Sequence, residues 1–351
     1  MSNYSMVERW MHRMVFSLPM LSDTLKELES SLYGSRWQNQ RVTQPIFIAA
    51  LPRAGTTLVL ELLGRHPDTV SYSYRDMPFV QSPVIWHRAS RWFIRPETKQ
   101  ERMHGDGVAI GFDSLEAFEE VIWRQAFPDH YQDDRILLWE EGRDAADSGL
   151  TDQIRKLLWL RQGRRYLSKN NANVARLAAI RREFPDARVV VPFRHPLEHA
   201  ISMQRQHQRF LTLHDADRFN RDYMAYIGHF EFGHLHRPVA FPGFIEMSQG
   251  LGPDSLAYWL AYWLAAYRHL AAQPQTAFLH YEGLCGAGEA GLARLTDTLG
   301  LTASSQWHRL AAAQLRPPPT SRYEGQVLPK AWIEEASALY QALEARCLLT
   351  P

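Results

Sequence analysis

The chain has 351 residues, 45% of them apolar, enough to pack one large α/β domain or two smaller ones. Its 39 basic residues nearly balance 38 acidic ones, so no global attraction to nucleic acid or to an anionic membrane is expected, and no nucleic-acid partner is assigned. The two cysteines, Cys285 and Cys347, lie far apart without metal-ligand spacing. That argues against a disulfide scaffold or a zinc site and suits a reducing compartment.

Residues 4–32 are predicted to be helical, with Val7, Trp10, Met11, Met14 and Leu18 on one face. That face is expected to dock on the core or on a second subunit, which allows a homo-oligomer. The first 16 residues carry Glu8, Arg9, His12 and Arg13 and lack the continuous apolar run of a secretory signal. No stretch reaches the length of a transmembrane helix.

An apolar run, Pro45-Ile46-Phe47-Ile48-Ala49-Ala50, reads as a buried strand. Leu51-Pro52-Arg53-Ala54-Gly55-Thr56-Thr57-Leu58 follows it, and residues 58–63 read as the first turns of a helix. A strand, a tight basic turn and a helix form a phosphate cradle, because N–H groups at a helix start point at an anion. Gly55 lets backbone approach that anion closely, and Thr56 and Thr57 offer hydroxyls and N–H groups. The ATP-type pattern G-x-x-x-x-G-K-[ST] is not met, since its first Gly and its Lys are absent.

Residues 71–111 read as a long irregular segment, of the kind that often carries function. It holds four candidate general bases, Asp76, His87, His104 and Asp106, with Asp76 and His104 ranked level. Trp86, Trp92 and Phe93, with Trp123 and Trp139, suit either an acceptor cleft or the core. Residues 114–127 are predicted to form a helix capped by Ser114, with Glu119 and Glu120 on a solvated face that has one buried partner. Further helices are expected over 151–160, capped by Thr151 or Asp152, and over 172–184, ending before Pro185.

A strand over 165–168 precedes Lys169, and another over 188–193, interrupted by Pro192, ends at Arg194. The carboxyl end of a parallel strand is where such sheets place ligands, and Pro196 is suited to open a helix. Ser202 lies two helical turns further on, and the folding of the turn decides whether it meets the same anion as Arg194. His229, His234 and His236 could form a metal cluster, but solvated or substrate-lining histidines are the stronger expectation. An apolar helix over 255–271 and a strand over 276–280 follow, and Pro317-Pro318-Pro319 forms a rigid spacer. Helices alternating with short apolar strands indicate an α/β fold with a parallel sheet.

The loop at Arg53–Thr57 resembles the 5′-phosphosulfate loop of sulfotransferases that use 3′-phosphoadenosine 5′-phosphosulfate (PAPS). Arg194 and Ser202 keep the spacing of that family's 3′-phosphate motif, although His195 replaces its usual acidic residue. Residues 165–171 look like the strand that supplies a second basic residue, here Lys169. His280-Tyr281-Glu282-Gly283-Leu284 is similar to the family's Tyr-Glu-Asp-Leu strand end, and residues 322–330 occupy the position of a nucleotide-covering segment.

The resemblance implies a three-layer P-loop-like fold, a central parallel sheet flanked by helices with helical insertions. It implies a single sulfotransferase domain over 1–351: an N-terminal helical extension (1–40), a PAPS-binding and catalytic core (41–330) and a C-terminal helix (331–351). The implied reaction moves the sulfuryl group from PAPS to a hydroxyl of a carbohydrate, glycolipid or small metabolite without a metal. Arg53, Lys169 and a base, Asp76 or His104, would be catalytic. Arg53, Ala54, Gly55, Thr56, Thr57, Arg194, Ser202, Tyr323 and Lys330 would hold the nucleotide. The implied setting is cytoplasmic, as for similar bacterial members. Two alternatives remain at this point: a P-loop small-molecule kinase, against which the missing Walker Lys counts, and a catalytically silent nucleotide-binding protein.

Overall fold

The computed structural model describes residues 6–90, 100–101, 109–110, 114–116, 118–139, 148–317 and 328–349. Helices α1 (Met6–Ser17) and α2 (Pro19–Tyr33) divide at Pro19, which has no N–H to continue the first. The single helix expected over 4–32 is therefore two. Strand β1 (Ile46–Ile48) runs through the loop into α3 (Thr56–Leu63). After β2 (Thr69–Val70) the segment expected to be irregular contains α4 (Pro83–Ser90) and a short antiparallel ribbon of β3 (Gln100–Glu101) and β4 (Ala109–Ile110).

Helix α5 (Glu120–Ala126) begins later than predicted. Ser114–Glu116 are extended instead: Leu115 bridges Ser73, and the Glu116 N–H donates to the Tyr72 carbonyl. Helix α6 (Leu150–Arg161) follows Gly149, which is left-handed at φ 76°, and the Leu150 N–H is met by Ser148 Oγ rather than by Thr151 or Asp152. Beyond β5 (Arg165–Lys169), residues 171–175 form a 3₁₀ turn capped by Asn170, so α7 (Leu177–Glu183) is shorter than predicted. The chain continues through β6 (Arg188–Phe193), α8 (Pro196–Ala216), α9 (Arg218–Ile227), α10 (Phe244–Met247) and α11 (Leu256–Ala272). It ends with β7 (Thr276–His280), α12 (Tyr281–Leu299), α13 (Ser305–Ala312) and α14 (Lys330–Ala345).

Five parallel strands lie in the order β2-β5-β1-β6-β7. From β1 the chain runs out to β2, returns through β5, then crosses to β6 and β7. The reversal falls at β1, and ligands of open parallel sheets bind beyond the strand ends at such a switch point. Register places Ile48 beside both Lys169 and Val190, so β5 and β6 deliver their carboxyl ends to either side of the loop. Pro192 does not interrupt β6. Its carbonyl accepts the Tyr267 hydroxyl at 2.9 Å from α11.

The strands are buried on both faces because their side chains alternate between two cores. Ile46, Ile48, Leu167, Val190 and Leu279 pack with α3, α12 and α13. Phe47, Tyr166, Val189, Val191 and Phe278 pack on the other face with α11 and its neighbours. Helix α11 is apolar around most of its circumference, as a helix must be when neighbours cover it all round. The result is the three-layer α/β fold expected from the sequence.

Candidate active site

The loop after β1 is held in a conformation that few residues tolerate. Arg53 and Gly55 both have positive φ, 73° and 89°. For a side-chain-bearing residue the left-handed conformation costs about 1–2 kcal/mol. Such strain persists only where surrounding contacts impose it, and it concentrates at functional sites. A Cβ at Gly55 would lie 2.3 Å from the Tyr281 ring, so the ring at the start of α12 seats directly on the glycine. The Tyr281 hydroxyl is anchored to the Arg316 carbonyl at 2.9 Å. Ala54 and Thr56 are buried, and α3 starts at Thr56 with its N-terminus toward the loop.

Helix α8 locks this loop from the side. Arg53 Nε donates to Ser202 Oγ at 3.2 Å. One turn earlier on α8, His199 Nε2 donates to the Pro52 carbonyl at 2.8 Å, which fixes the Nε2–H tautomer. Burial, reinforced by the charge of Arg194, pulls the pKa of His199 down to about 3, so the ring stays neutral. Ser202 is thus tied to Arg53 and the loop after β1, and no described contact joins it to Arg194.

Arg194, at the end of β6, is almost buried and faces two carboxylates. Its Nη2 donates to Glu198 at 3.1 Å, and its Nε lies 3.7 Å from Glu282. That Nε makes no hydrogen bond among the described residues. A buried guanidinium N–H without an acceptor costs free energy, and an anion that supplied one would recover it.

Lys169 ends β5 on the other side of β1. Its ammonium is buried and pairs loosely with Glu116 at 3.4 Å, while Tyr74 donates to the second oxygen of Glu116 at 3.3 Å. Glu116 begins a clamp of three carboxylates. Glu119 accepts from Ser168 and Tyr166, and Glu120 accepts from Asn170, Tyr131 and Arg176. Three consecutive residues, Ser168, Lys169 and Asn170, are therefore each gripped by a different glutamate. Glu119 and Glu120 are both buried, which corrects the expected solvated face. Burial raises the pKa of Glu119, offset in part by its two hydrogen bonds.

The other predicted residues fall elsewhere. Asp76 is buried, and its carboxylate is taken up by Arg161 at 2.6 Å and by the Ser73 N–H of its own capping box at 2.7 Å. His87 lies on α4, and its neighbour Trp86 donates to the Arg75 carbonyl. His104, Asp106, Tyr323, Trp92 and Phe93 lie outside the described residues. Lys330 stands in solvent at the start of α14, pairs with Glu334 at 3.5 Å, and is not brought to the loop by any described contact. Trp123 and Trp139 are core residues with Arg176 against their faces. His234 pairs with Asp215 on the surface, while His236 is half-buried among rings. Among the described residues no group of three His, Cys, Asp or Glu is arranged to hold a metal ion, and no helix is long and apolar enough to cross a membrane.

The sequence reading did not single out Glu116, Glu198 or His199. The last two do carry a signal: Glu198 is four residues beyond Arg194 on a predicted helix, and His199 lies between Arg194 and Ser202.

A profile described as the sulfotransferase family matches residues 45–305, a span that takes in the loop, Lys169, Arg194, Ser202 and the Tyr281 strand end. The chain belongs to the sulfotransferase family. Membership supports sulfuryl transfer as its general chemistry and sets aside the kinase alternative. Among solved structures, the sulfotransferase STF1 of Mycobacterium tuberculosis is similar in fold, with a TM-score of 0.50, 16% identity, and coverage of 87% of this chain and 80% of that one. The sulfotransferase STF9 of Mycobacterium avium gives a TM-score of 0.47 at 15% identity, covering 90% of this chain and 79% of that one. A search of curated proteins finds no match.

Proposed function

We propose that the chain transfers the sulfuryl group from PAPS to an acceptor hydroxyl. The supporting observation is the Arg53–Ser202 hydrogen bond, which joins the loop after β1 to the helix after β6. It would make one continuous anion site from two segments, as a nucleotide with separate 5′ and 3′ phosphates requires. Gly55, Thr56 and Thr57 would offer N–H groups and hydroxyls to the 5′-phosphosulfate, with Ala54 carrying the backbone between them. Arg194, with its unmet Nε, and Ser202 would take the 3′-phosphate. Tyr323 and Lys330 are kept as covering residues only by resemblance.

In the reaction an acceptor oxygen attacks sulfur in line, and the bridging oxygen leaves with its electron pair on the 5′-phosphate. Developing charge on that oxygen is the feature to stabilise. Arg53 and Lys169 would supply that charge, a reading supported by the pairing of β1 with β5, which puts Lys169 in register with Ile48. The long contact to Glu116 leaves Lys169 able to turn toward a phosphosulfate. Asp76 is a poor base, because Arg161 and the Ser73 N–H already occupy its carboxylate. A cytoplasmic setting fits two cysteines, Cys285 and Cys347, that form no disulfide with each other.

Calorimetric titration with 3′-phosphoadenosine 5′-phosphate (PAP), ADP and magnesium-ATP tests the donor. Tight PAP binding that is lost when the 3′-phosphate is absent is expected. Equal affinity for PAP and ADP would overturn the assignment of Arg194 and Ser202. PAP binding without turnover of any acceptor would favour a silent nucleotide-binding protein.

A further inference from the structure

Glu282, the second carboxylate beside Arg194, is only half engaged. Its Oε1 accepts from the His195 N–H at 3.4 Å and lies 3.7 Å from Arg194 Nε. Its Oε2 is buried and has no hydrogen-bond partner among the described residues. That oxygen lies 3.2 Å from Nε2 of His280, the last residue of β7. A buried carboxylate oxygen without a donor costs free energy, and a proton on that ring nitrogen would supply the donor.

The His280 ring is closely seated. It stacks on Phe193 with centroids 5.3 Å apart, and a Cβ on Gly283 would lie 2.8 Å from Nδ1. From α14, Glu344 Oε1 stands 3.6 Å from Nδ1 and the Tyr340 hydroxyl 2.7 Å from Nε2. A carboxylate favours an N–H facing it, so Nδ1 carries the ring proton and Nε2 accepts from the Tyr340 O–H. Burial raises the pKa of Tyr340, reinforced by Glu282 and Glu344, so the phenol keeps its proton. Neutral His280 therefore turns a lone pair, not a donor, toward Glu282 Oε2. The other titratable or charged groups around this ring are Arg194 and His195 after β6, Glu198 on α8, and Tyr340 and Glu344 on α14.

Glu198 and Glu282 together outweigh the one guanidinium they face, so the site opposes a phosphate dianion until a further positive charge is added. A phosphate on Arg194 Nε would also take the guanidinium from Glu282 and leave that carboxylate without a cation. We propose that His280 is a positioning residue for the nucleotide: as the 3′-phosphate engages Arg194, His280 takes up a proton at Nε2 and draws Glu282 off the guanidinium. The proposal rests on the assignment of Arg194 to the 3′-phosphate. The proton comes from solvent, and the new N–H donates to Glu282 Oε2. The Tyr340 hydroxyl, no longer needed at Nε2, turns to Glu344, which it also reaches. The imidazolium then stands between two carboxylates, Glu282 and Glu344, and balances the charge that the phosphate brings.

The test is titration of the full chain with PAP and with ADP in Tris and in HEPES, whose different ionisation heats report the protons taken up on binding. A phosphate monoester loses its second proton near pH 6, so at pH 7.5 the ligand itself contributes little. Wild type should take up at least about half a proton per PAP at pH 7.5, and none per ADP. Its PAP affinity should weaken about 5-fold between pH 7.5 and 8.5, because the proton that binding requires becomes scarcer. His280→Gln should abolish the uptake and hold PAP affinity within about 2-fold over that range. If that variant fails to fold by circular dichroism, Glu282→Gln serves instead: with no carboxylate to displace, it should lose most of the uptake and bind PAP about 3- to 10-fold more tightly at pH 8.5. PAP bound in preference to ADP without proton uptake, or with the same uptake in both variants, would overturn this proposal alone. Equal affinity for PAP and ADP would overturn the assignment of Arg194 to the 3′-phosphate and this proposal with it.

Discussion

Two buried arginines flank the sheet, and they are treated in opposite ways. Arg176 is saturated: its Nε donates to Asn173, its Nη1 to Tyr131 and its Nη2 to Glu120, with tryptophan rings against its face. Arg194 is left short, with one hydrogen bond to Glu198, a distant Glu282 and an Nε that donates to nothing described. Both have carboxylate neighbours and both are removed from water. A fully satisfied ion pair has nothing left to offer a ligand, so Arg176 is scaffolding for the end of β5. An unsatisfied cation beside a strained loop keeps its capacity for an anion.

The sharpest way to break this contrast is to remove each arginine in turn. Arg176→Ala should cost about 3–5 kcal/mol of stability, because it leaves Glu120 buried and unpaired. Urea unfolding would show it. Arg194→Ala should leave stability nearly unchanged while weakening PAP by about 10- to 100-fold in calorimetry, the worth of a charge-assisted hydrogen bond to phosphate. If both variants lost only stability, the distinction between scaffold and site would fail.

Lys169 sits between these two cases, since its pair with Glu116 is buried but long. Lys169→Ala is expected to lower kcat by about 100- to 1000-fold, as for removal of one transition-state donor, with PAP affinity changed far less. Single-turnover kinetics would separate the two effects. An unaffected rate would move Lys169 into the scaffold with Arg176.

Acidification should strain the donor side. Desolvation pulls His199 down to about 3 in the fold, and His236 likewise, against about 6.5 in an unfolded chain. The unfolded state therefore binds their protons first. Their contribution to stability is complete above about pH 6.5 and is lost progressively as pH falls toward 3. Thermal melts should show Tm falling between pH 6.5 and 4. Replacing His199 with Gln, which keeps a donor for Pro52, should make that fall shallower. The smallest effect belongs to Glu198→Gln, which weakens the hold on Arg194 and should tighten PAP by about 2- to 5-fold. Weaker PAP binding would mean that Glu198 orients Arg194 rather than competing for it.

Local chemistry made much of this chain legible. The strand, loop and helix at 46–63 could be read directly because burial, turn and helix signals are contiguous, and one tight turn must bring Arg53, Gly55 and Thr56 together. Arg194 followed from its place at a strand end, and Pro196 from its fitness to open α8. Boundaries were lost where distant backbone partners overrode local propensity. Ser114–Glu116 pair with Tyr72–Tyr74 instead of starting a helix, and Asn170 caps a 3₁₀ turn where a longer helix was expected.

The carboxylates were illegible for a related reason. Glu119 and Glu120 read as a solvated face with one buried partner and Glu116 was not singled out; only tertiary packing sets the three on Ser168, Lys169 and Asn170, some fifty residues away. The sequence by itself determined the parallel α/β class and the strand, basic turn and helix around Arg53, because these depend on short-range periodicity and turn chemistry. Tertiary structure alone decided which cations are saturated, that Ser202 meets Arg53 and that Tyr281 seats on Gly55. Those outcomes are set by which buried donors and acceptors meet across elements, and no spacing along the chain encodes that.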